Sequence, residues 1–247
     1  MEEIKSTILK LKRNAAEDFA KTLVASEIGE RVIKVVLFGS VAKGEAKKES
    51  DIDLLVIASG NLDKVRDVSA EVSFQTWLKF HEGVEPLIYC IDTLRFSNSI
   101  FLDHALRKGQ EVFSVREEKR LKEEARDYLS LATQYLSSAK RNLSVGDHRV
   151  AIDVAYNSAE LCAKALIFLK GAEIPGSHGG TVNRFGELYA QSGEVPKELG
   201  RNLNRNLELR NRARYDLHAD ITPEGAKGVI EMAEKMVNLL DSKLKNS

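Results

Sequence analysis

VVLFGSVAKGEAKKESDIDLLVI, residues 35–57, decides how the first half of this chain is read. A short β-rich run ends in Gly39-Ser40, a polar and basic connection follows, and Asp51-x-Asp53 opens a second apolar run. Successive side chains of a strand point to opposite faces, so Asp51 and Asp53, two apart, share one face. Two carboxylates side by side repel unless a cation lies between them. Their hard oxygens suit Mg2+ (or Mn2+), which usually takes further oxygens from substrate phosphates. One such ion can activate an attacking hydroxyl while another steadies a leaving group. Gly39 has no side chain to keep a phosphate away from the backbone. Ser40 is expected at the start of a following helix, where free N–H groups and the helix dipole favour an anion. Lys43, Lys47 and Lys48 read as a solvated loop and stay outside the site.

Upstream, Ile4, Ile8, Leu11, Ala15, Phe19 and Leu23 recur at helical spacing and predict a helix over 2–27. Downstream, IKVVLFGS (33–40), DIDLLVIASG (51–60) and VEPLIYCID (84–92) predict three strands, with helices near 62–80 and 93–108. Strands alternating with helices imply an α/β (α+β) domain with a small mixed sheet. From about Arg116 the strands vanish. Leu121, Ala125, Tyr128, Ala132, Tyr135 and Ala139 mark one helix. Ala151, Val154, Ala155, Cys162, Ala165 and Leu169 mark a second, with Gly171 placed to end it. GAEIPGSHGG (171–180) reads as loop, and helices are expected near 181–191, 197–217 and 223–245. The second half is therefore read as an all-α bundle. The domains are placed at 1–112 and 113–247.

Composition excludes little. Of 247 residues 43% are hydrophobic, enough for a core, and 37 basic side chains balance 37 acidic ones, so only local clusters can point to nucleic acid. MEEIKSTILK lacks a signal-peptide core and no apolar run is long enough for a membrane span. A cytoplasmic protein with no membrane partner is expected. Cys90 and Cys162 lack CxxC spacing and read as reduced, packed thiols. His81, His104, His148 and His178 form no pair at metal-ligand spacing. The segment KELGRNLNRNLELRNRARYDLHAD (197–220) is more distinctive. Arg201, Arg205, Glu208, Arg212 and Tyr215 share one helical face, with Leu199, Leu203, Ala213 and Leu217 roughly opposite. Five arginines against one Glu between 201 and 214 make a basic patch able to hold phosphates. Arg210 falls on the apolar side and reads as a buried structural residue.

Gly39-Ser40, ten residues, then Asp51-x-Asp53 resembles the signature of minimal nucleotidyltransferases of the polymerase-β superfamily, over about residues 30–92. The resemblance implies transfer of a nucleoside monophosphate from ATP or another NTP to a hydroxyl, with pyrophosphate released. It makes Asp51 and Asp53 catalytic metal ligands and places Gly39 and Ser40 at the nucleotide. It also implies a third carboxylate from a later strand. Glu85, in GVEPLIYC, takes that place as a further catalytic and metal-binding group; the family usually has Asp there, and Glu sets the oxygens one methylene farther out.

AYNSAELCAKALIFLKGAEIPGSHGG followed by LRNRARYD resembles a HEPN domain, over most of 118–245. Many HEPN proteins are metal-independent ribonucleases with an Arg-x4–6-His motif. Arg212, five residues, then His218 meets that spacing and makes the two catalytic candidates, with RNA as a partner and a homodimer as the assembly. In relatives whose HEPN toxin is silenced by AMP transfer, the modified Tyr follows the His by two positions. Here that position is Asp220, and Tyr215 is the nearest tyrosine. Three functions fit. The chain is a fused, toxin–antitoxin-like enzyme that places AMP on a hydroxyl, such as one on a protein; or it modifies a small molecule, with the bundle completing the pocket; or it is a catalytically weak nucleotide- or RNA-binding module. The HEPN-like motif favours the first over the second, and Glu85 keeps the third open.

Overall fold

The two apolar runs around the Gly-Ser and Asp-x-Asp motifs lie side by side in one sheet. The computed structural model describes residues 2–95 and 99–246, and the chain divides into two units, Met1–Glu123 and Glu124–Ser247. In the first, β1 (Val32–Leu37), β2 (Ile52–Ala58), β3 (Val84–Cys90) and β4 (Gln110–Ser114) form a mixed sheet in the order β3-β2-β1-β4. β1 runs antiparallel to β2 and β4, and β2 runs parallel to β3. A parallel pair needs a crossover, supplied by α3 (Leu62–Phe80), whose first N–H groups are capped by the Asn61 side chain. The other helices are α1 (Glu2–Ala25), the single turn α2 (Gly39–Ala42) and α4 (Ile100–Lys108).

Both faces of the central strands are covered, which is why they read as nearly continuous apolar runs. Val35, Leu37, Leu54 and Val56 pack with Ala15, Phe19 and Leu23 of α1 and with Val65 and Val72 of α3. Ile33, Val36, Leu55 and Ile57 pack with Leu102 and Ala105 of α4. Three features depart from the sequence reading. β4 was not anticipated: QEVFS is a short edge strand with no buried residue and therefore no strong pattern. On α1, Leu11 faces solvent while its neighbour Lys12 is fully buried. The helix expected near 93–108 begins only at Ile100, after a 3-10 turn over Ile91–Leu94, and residues 96–98 of that expectation lie outside the described residues.

The division between units falls inside α5 (Glu117–Ser144). The helical unit continues with α6 (His148–Leu169), α7 (His178–Phe185), α8 (Lys197–Tyr215) and α9 (Pro223–Lys245). α6 is its axis, packed by α7, α8 and α9. Ala151, Ala155, Ala159 and Ala163 are all fully buried along it, and this row of small side chains lets neighbouring helices approach closely. The inward row of α5 is Ala125, Ala132, Leu136 and Ala139, so Leu136 takes the core place expected for Tyr135, which is partly exposed. α6 ends as anticipated: Gly171, at φ +70°, donates its N–H to the Phe168 carbonyl at 2.8 Å. α7 starts at His178, inside the segment read as loop, because Ser177 Oγ accepts the Gly180 N–H at 3.1 Å and caps it. α8 stops at Tyr215, so Leu217 lies past the helix and is 88% exposed instead of joining the apolar face.

The architecture is thus a mixed-sheet α/β unit followed by an all-helical one. No helix among the described residues is long and apolar enough to cross a membrane. Cys162 is fully buried, and burial pushes its thiol up to about 12, while Cys90 is only partly buried.

Candidate active site

Alternation along β2 sends Leu54 and Val56 to the α1–α3 side and Leu55 and Ile57 to the α4 side. Asp53 belongs to the second set, so its carboxylate faces the α4 side at the open end of the strand. Glu85 is its register partner on β3. Asp51 lies one residue before β2 and is exposed.

Glycines make room for both aspartates. Gly39 adopts φ +69°, and a β-carbon there would stand 2.0 Å from Asp53 Oδ2. Backbone and space together demand glycine at this position. The Phe38 N–H donates to the Asp53 carbonyl at 3.0 Å, which fixes the Gly-Ser turn against β2. A β-carbon on Gly83 would likewise stand 2.8 Å from Asp51 Oδ1, while the Ile52 N–H donates to the Gly83 carbonyl at 2.9 Å. Gly83 was not singled out from the sequence; its signal was only a glycine immediately ahead of a strand.

Lys12 is the second residue the sequence reading missed. It occupies a helical position beside the apolar stripe and gave no sign of burial. Its ammonium donates to the Ser50 carbonyl at 2.6 Å and the Lys48 carbonyl at 3.2 Å, and forms an ion pair with Glu82. One buried cation thereby ties α1 to the residue before Asp51 and to the turn before β3.

The Asp53 carboxyl is pushed above its ordinary 3.8, first by burial, then by the negative charges of Glu85 and Asp51. A cation between the aspartates relieves that repulsion, so the donor set fits a divalent ion. Among the described residues no group of three or more His, Cys, Asp or Glu side chains is arranged to hold a metal. The pair of aspartates matches Mg2+, which is held by one or two carboxylates and completes its shell with water and substrate phosphates. The helix expected after Ser40 is only one turn, so its dipole is small, and what remains for an anion is the first free N–H groups of α2.

In the helical unit, Arg212 lies exposed in the last turn of α8 and His218 lies exposed in the turn beyond it. The His218 N–H donates to Asp216 Oδ1 at 2.9 Å. This segment is pinned from α6: the Arg149 guanidinium donates to the carbonyls of Ala213 at 2.8 Å, Asp216 at 2.9 Å and Ala219 at 2.9 Å. Arg149 also went unread, because its partners are backbone atoms far along the chain. Arg210 is buried, as expected from its side of the helix, with Nε donating to Asp153 Oδ1 at 2.9 Å. Tyr215 is 68% exposed, with the Arg214 guanidinium 5.7 Å from its ring centre.

Comparison with known proteins agrees with this division. A nucleotidyltransferase domain model matches residues 19–128, and a HEPN domain model matches residues 125–243. A Methanocaldococcus jannaschii protein named "Putative toxin MJ0605" is 30% identical over 127 residues, covering 51% of this chain and 93% of that protein. "Putative protein adenylyltransferase MJ0604" of the same organism is 36% identical over 58 residues, 24% of this chain and 57% of that protein. The crystal structure of TT1696 from Thermus thermophilus aligns with 49% of this chain and 98% of its own at 24% identity, with a TM-score of 0.43. The chain consists of a nucleotidyltransferase domain followed by a HEPN domain.

Proposed function

We propose that the first unit transfers a nucleoside monophosphate, most simply AMP from ATP, to a hydroxyl, and that Asp51 and Asp53 carry the reaction. The observation that supports this most is Gly39 pressed against the Asp53 carboxylate, with Asp51 on the same strand edge: the Gly-Ser turn and the acidic pair form one surface. In the transfer, the acceptor oxygen bonds the α-phosphorus, the bond to the bridging oxygen of the β-phosphate breaks, and pyrophosphate leaves with that electron pair. The hydroxyl proton passes to a carboxylate of the site. Mg2+ bound by the aspartates supplies charge neutralisation on the phosphate oxygens. Gly39 and Ser40 offer the phosphates a backbone surface without side-chain obstruction. Glu85 is the third acidic group, in register with Asp53 and close enough to act on its charge.

The HEPN unit is proposed to act on RNA through Arg212 and His218. An imidazole can accept a proton near neutral pH, and a guanidinium can hold a phosphate as its charge grows. The exposed arginines of α8 extend the surface that an RNA backbone meets. The names of the two M. jannaschii relatives support a toxin–antitoxin-like pairing of these activities. A protein acceptor is accordingly favoured over a small molecule, and Tyr215, exposed beside Arg214, is one available hydroxyl. Incubation of the full chain with α-labelled ATP, Mg2+ and a panel of small alcohols tests the choice: label on protein supports the proposal, and label only on the added alcohol contradicts it.

A further inference from the structure

We propose that a small cleft between α2 and α4 takes the nucleobase of the nucleotide whose phosphates meet Gly39 and the aspartates. The inference rests on the nucleotidyl-transfer reading of that site and adds the subsite that grips the base. The cleft encloses about 270 Å³ and is lined in part by Phe38, Gly39, Lys43, Phe101, His104 and Lys108.

Its position carries the argument first. Asp53 faces the α4 side of the sheet, where Leu55 and Ile57 pack with Leu102 and Ala105. Phe38 packs against that same cluster. The cleft therefore lies on the sheet face toward which Asp53 points, and Gly39, one of its walls, is the residue packed against the Asp53 carboxylate. Phosphates seated at Gly39 leave the rest of the nucleotide no farther away than its own ribose reaches.

The lining carries it second. Phe38 and Phe101 meet edge to face with ring centres 5.4 Å apart. Phe101 remains 43% exposed, so an aromatic surface is left uncovered beside the phosphate turn. A flat heterocycle gains from stacking on such a surface, and this contact tolerates any base because every base has a π-face. Around the rings stand Lys43, His104 and Lys108, whose side chains have no hydrogen-bond or ion-pair partner among the described residues. These donors suit the ring nitrogens and carbonyls of a base and the oxygens of its phosphates. An apolar floor with a few polar groups at the rim is the usual form of a small-molecule site. At about 270 Å³ the cleft is smaller than the roughly 300–1,000 Å³ of pockets that enclose a whole drug-sized ligand, which suits a base alone and leaves the triphosphate to Gly39, Ser40 and the aspartates.

The test separates base from phosphates. Binding of a non-hydrolysable α,β-methylene ATP and of inorganic tripolyphosphate is measured by equilibrium dialysis with Mg2+, for wild type, Phe101→Ala, Phe101→Trp and Asp53→Asn. The expected result is a loss of about tenfold in ATP-analogue affinity for Phe101→Ala, unchanged tripolyphosphate affinity, and recovery in Phe101→Trp. Asp53→Asn should weaken both ligands. Equal ATP-analogue binding by wild type and Phe101→Ala overturns the subsite while leaving the transfer reading intact. If Phe101→Ala weakens tripolyphosphate as much as the ATP analogue, the cleft serves the phosphates and the base assignment is wrong. Failure of wild type to bind either ligand removes the transfer reading and the subsite with it.

Discussion

Asp53 is held in an environment that works against its own charge. Burial and two neighbouring carboxylates raise its pKa, so the folded protein binds that proton more tightly than the unfolded chain does. The stability linked to this group is complete below about 3.8 and declines as pH rises through the folded value. At neutral pH the metal-free protein therefore carries a destabilising charge. Asp53→Asn should raise the melting temperature of metal-free protein at pH 7, and Mg2+ should raise that of wild type while leaving the variant nearly unmoved. Thermal melts with and without Mg2+ check this; equal Mg2+ shifts in both proteins would remove Asp53 from the ion's donors. Gly39→Ala should fail in two ways. The left-handed backbone costs about 1–2 kcal/mol for a residue with a side chain, and the new β-carbon displaces Asp53. A misplacement of about 1 Å in such a site is expected to lower the transfer rate roughly 100-fold. Lys12→Met leaves Glu82 and two carbonyls without their buried cation and should cost about 3 kcal/mol in denaturant unfolding.

At the scale of elements, the sequence was legible wherever one period dominated. α3 and α9 occupy the very ranges expected, since a capped start and an unbroken helical stripe specify them. β1 and β2 were recognisable because both faces are apolar. The unread parts share a cause: their determinants are not periodic. β4 is too short and too exposed to show alternation. The start of α7 depends on one serine hydroxyl, and the end of α8 lies only two residues before the leucine that extrapolation placed on its core face. In the proposed site, Asp51, Asp53 and Gly39 stood out by residue type and spacing and Glu85 by the family resemblance, whereas Lys12, Gly83 and Arg149 act through partners distant in sequence. Arg149 supplies the element-scale prediction. Arg149→Ala leaves three carbonyls around His218 without their donor and should loosen that turn alone. Hydrogen exchange should rise over residues 213–219 with α5 and α9 unchanged; unchanged exchange there would show that the guanidinium does not hold the turn.

At the scale of the whole molecule, the chain joins two units of different chemistry, an acidic site on a mixed sheet and a basic helix in a bundle. The HEPN resemblance predicts a homodimer formed through the helical half, and light scattering at high micromolar concentration should give twice the chain mass. A monomer at that concentration contradicts the pairing. It also predicts cleavage of RNA without added metal, lost in Arg212→Ala and His218→Ala. Cleavage that persists in both variants would take these residues off the catalytic list.

Incubation of the full chain with α-labelled ATP and Mg2+, comparing wild type with Asp51→Asn and Asp53→Asn, tests the central claim most directly. The account predicts label transferred covalently from ATP with release of pyrophosphate by wild type, at least about 100-fold less by either variant, and retained helical content in all three. Transfer by both variants at the wild-type rate would contradict the assignment of the aspartates and the chemistry built on them.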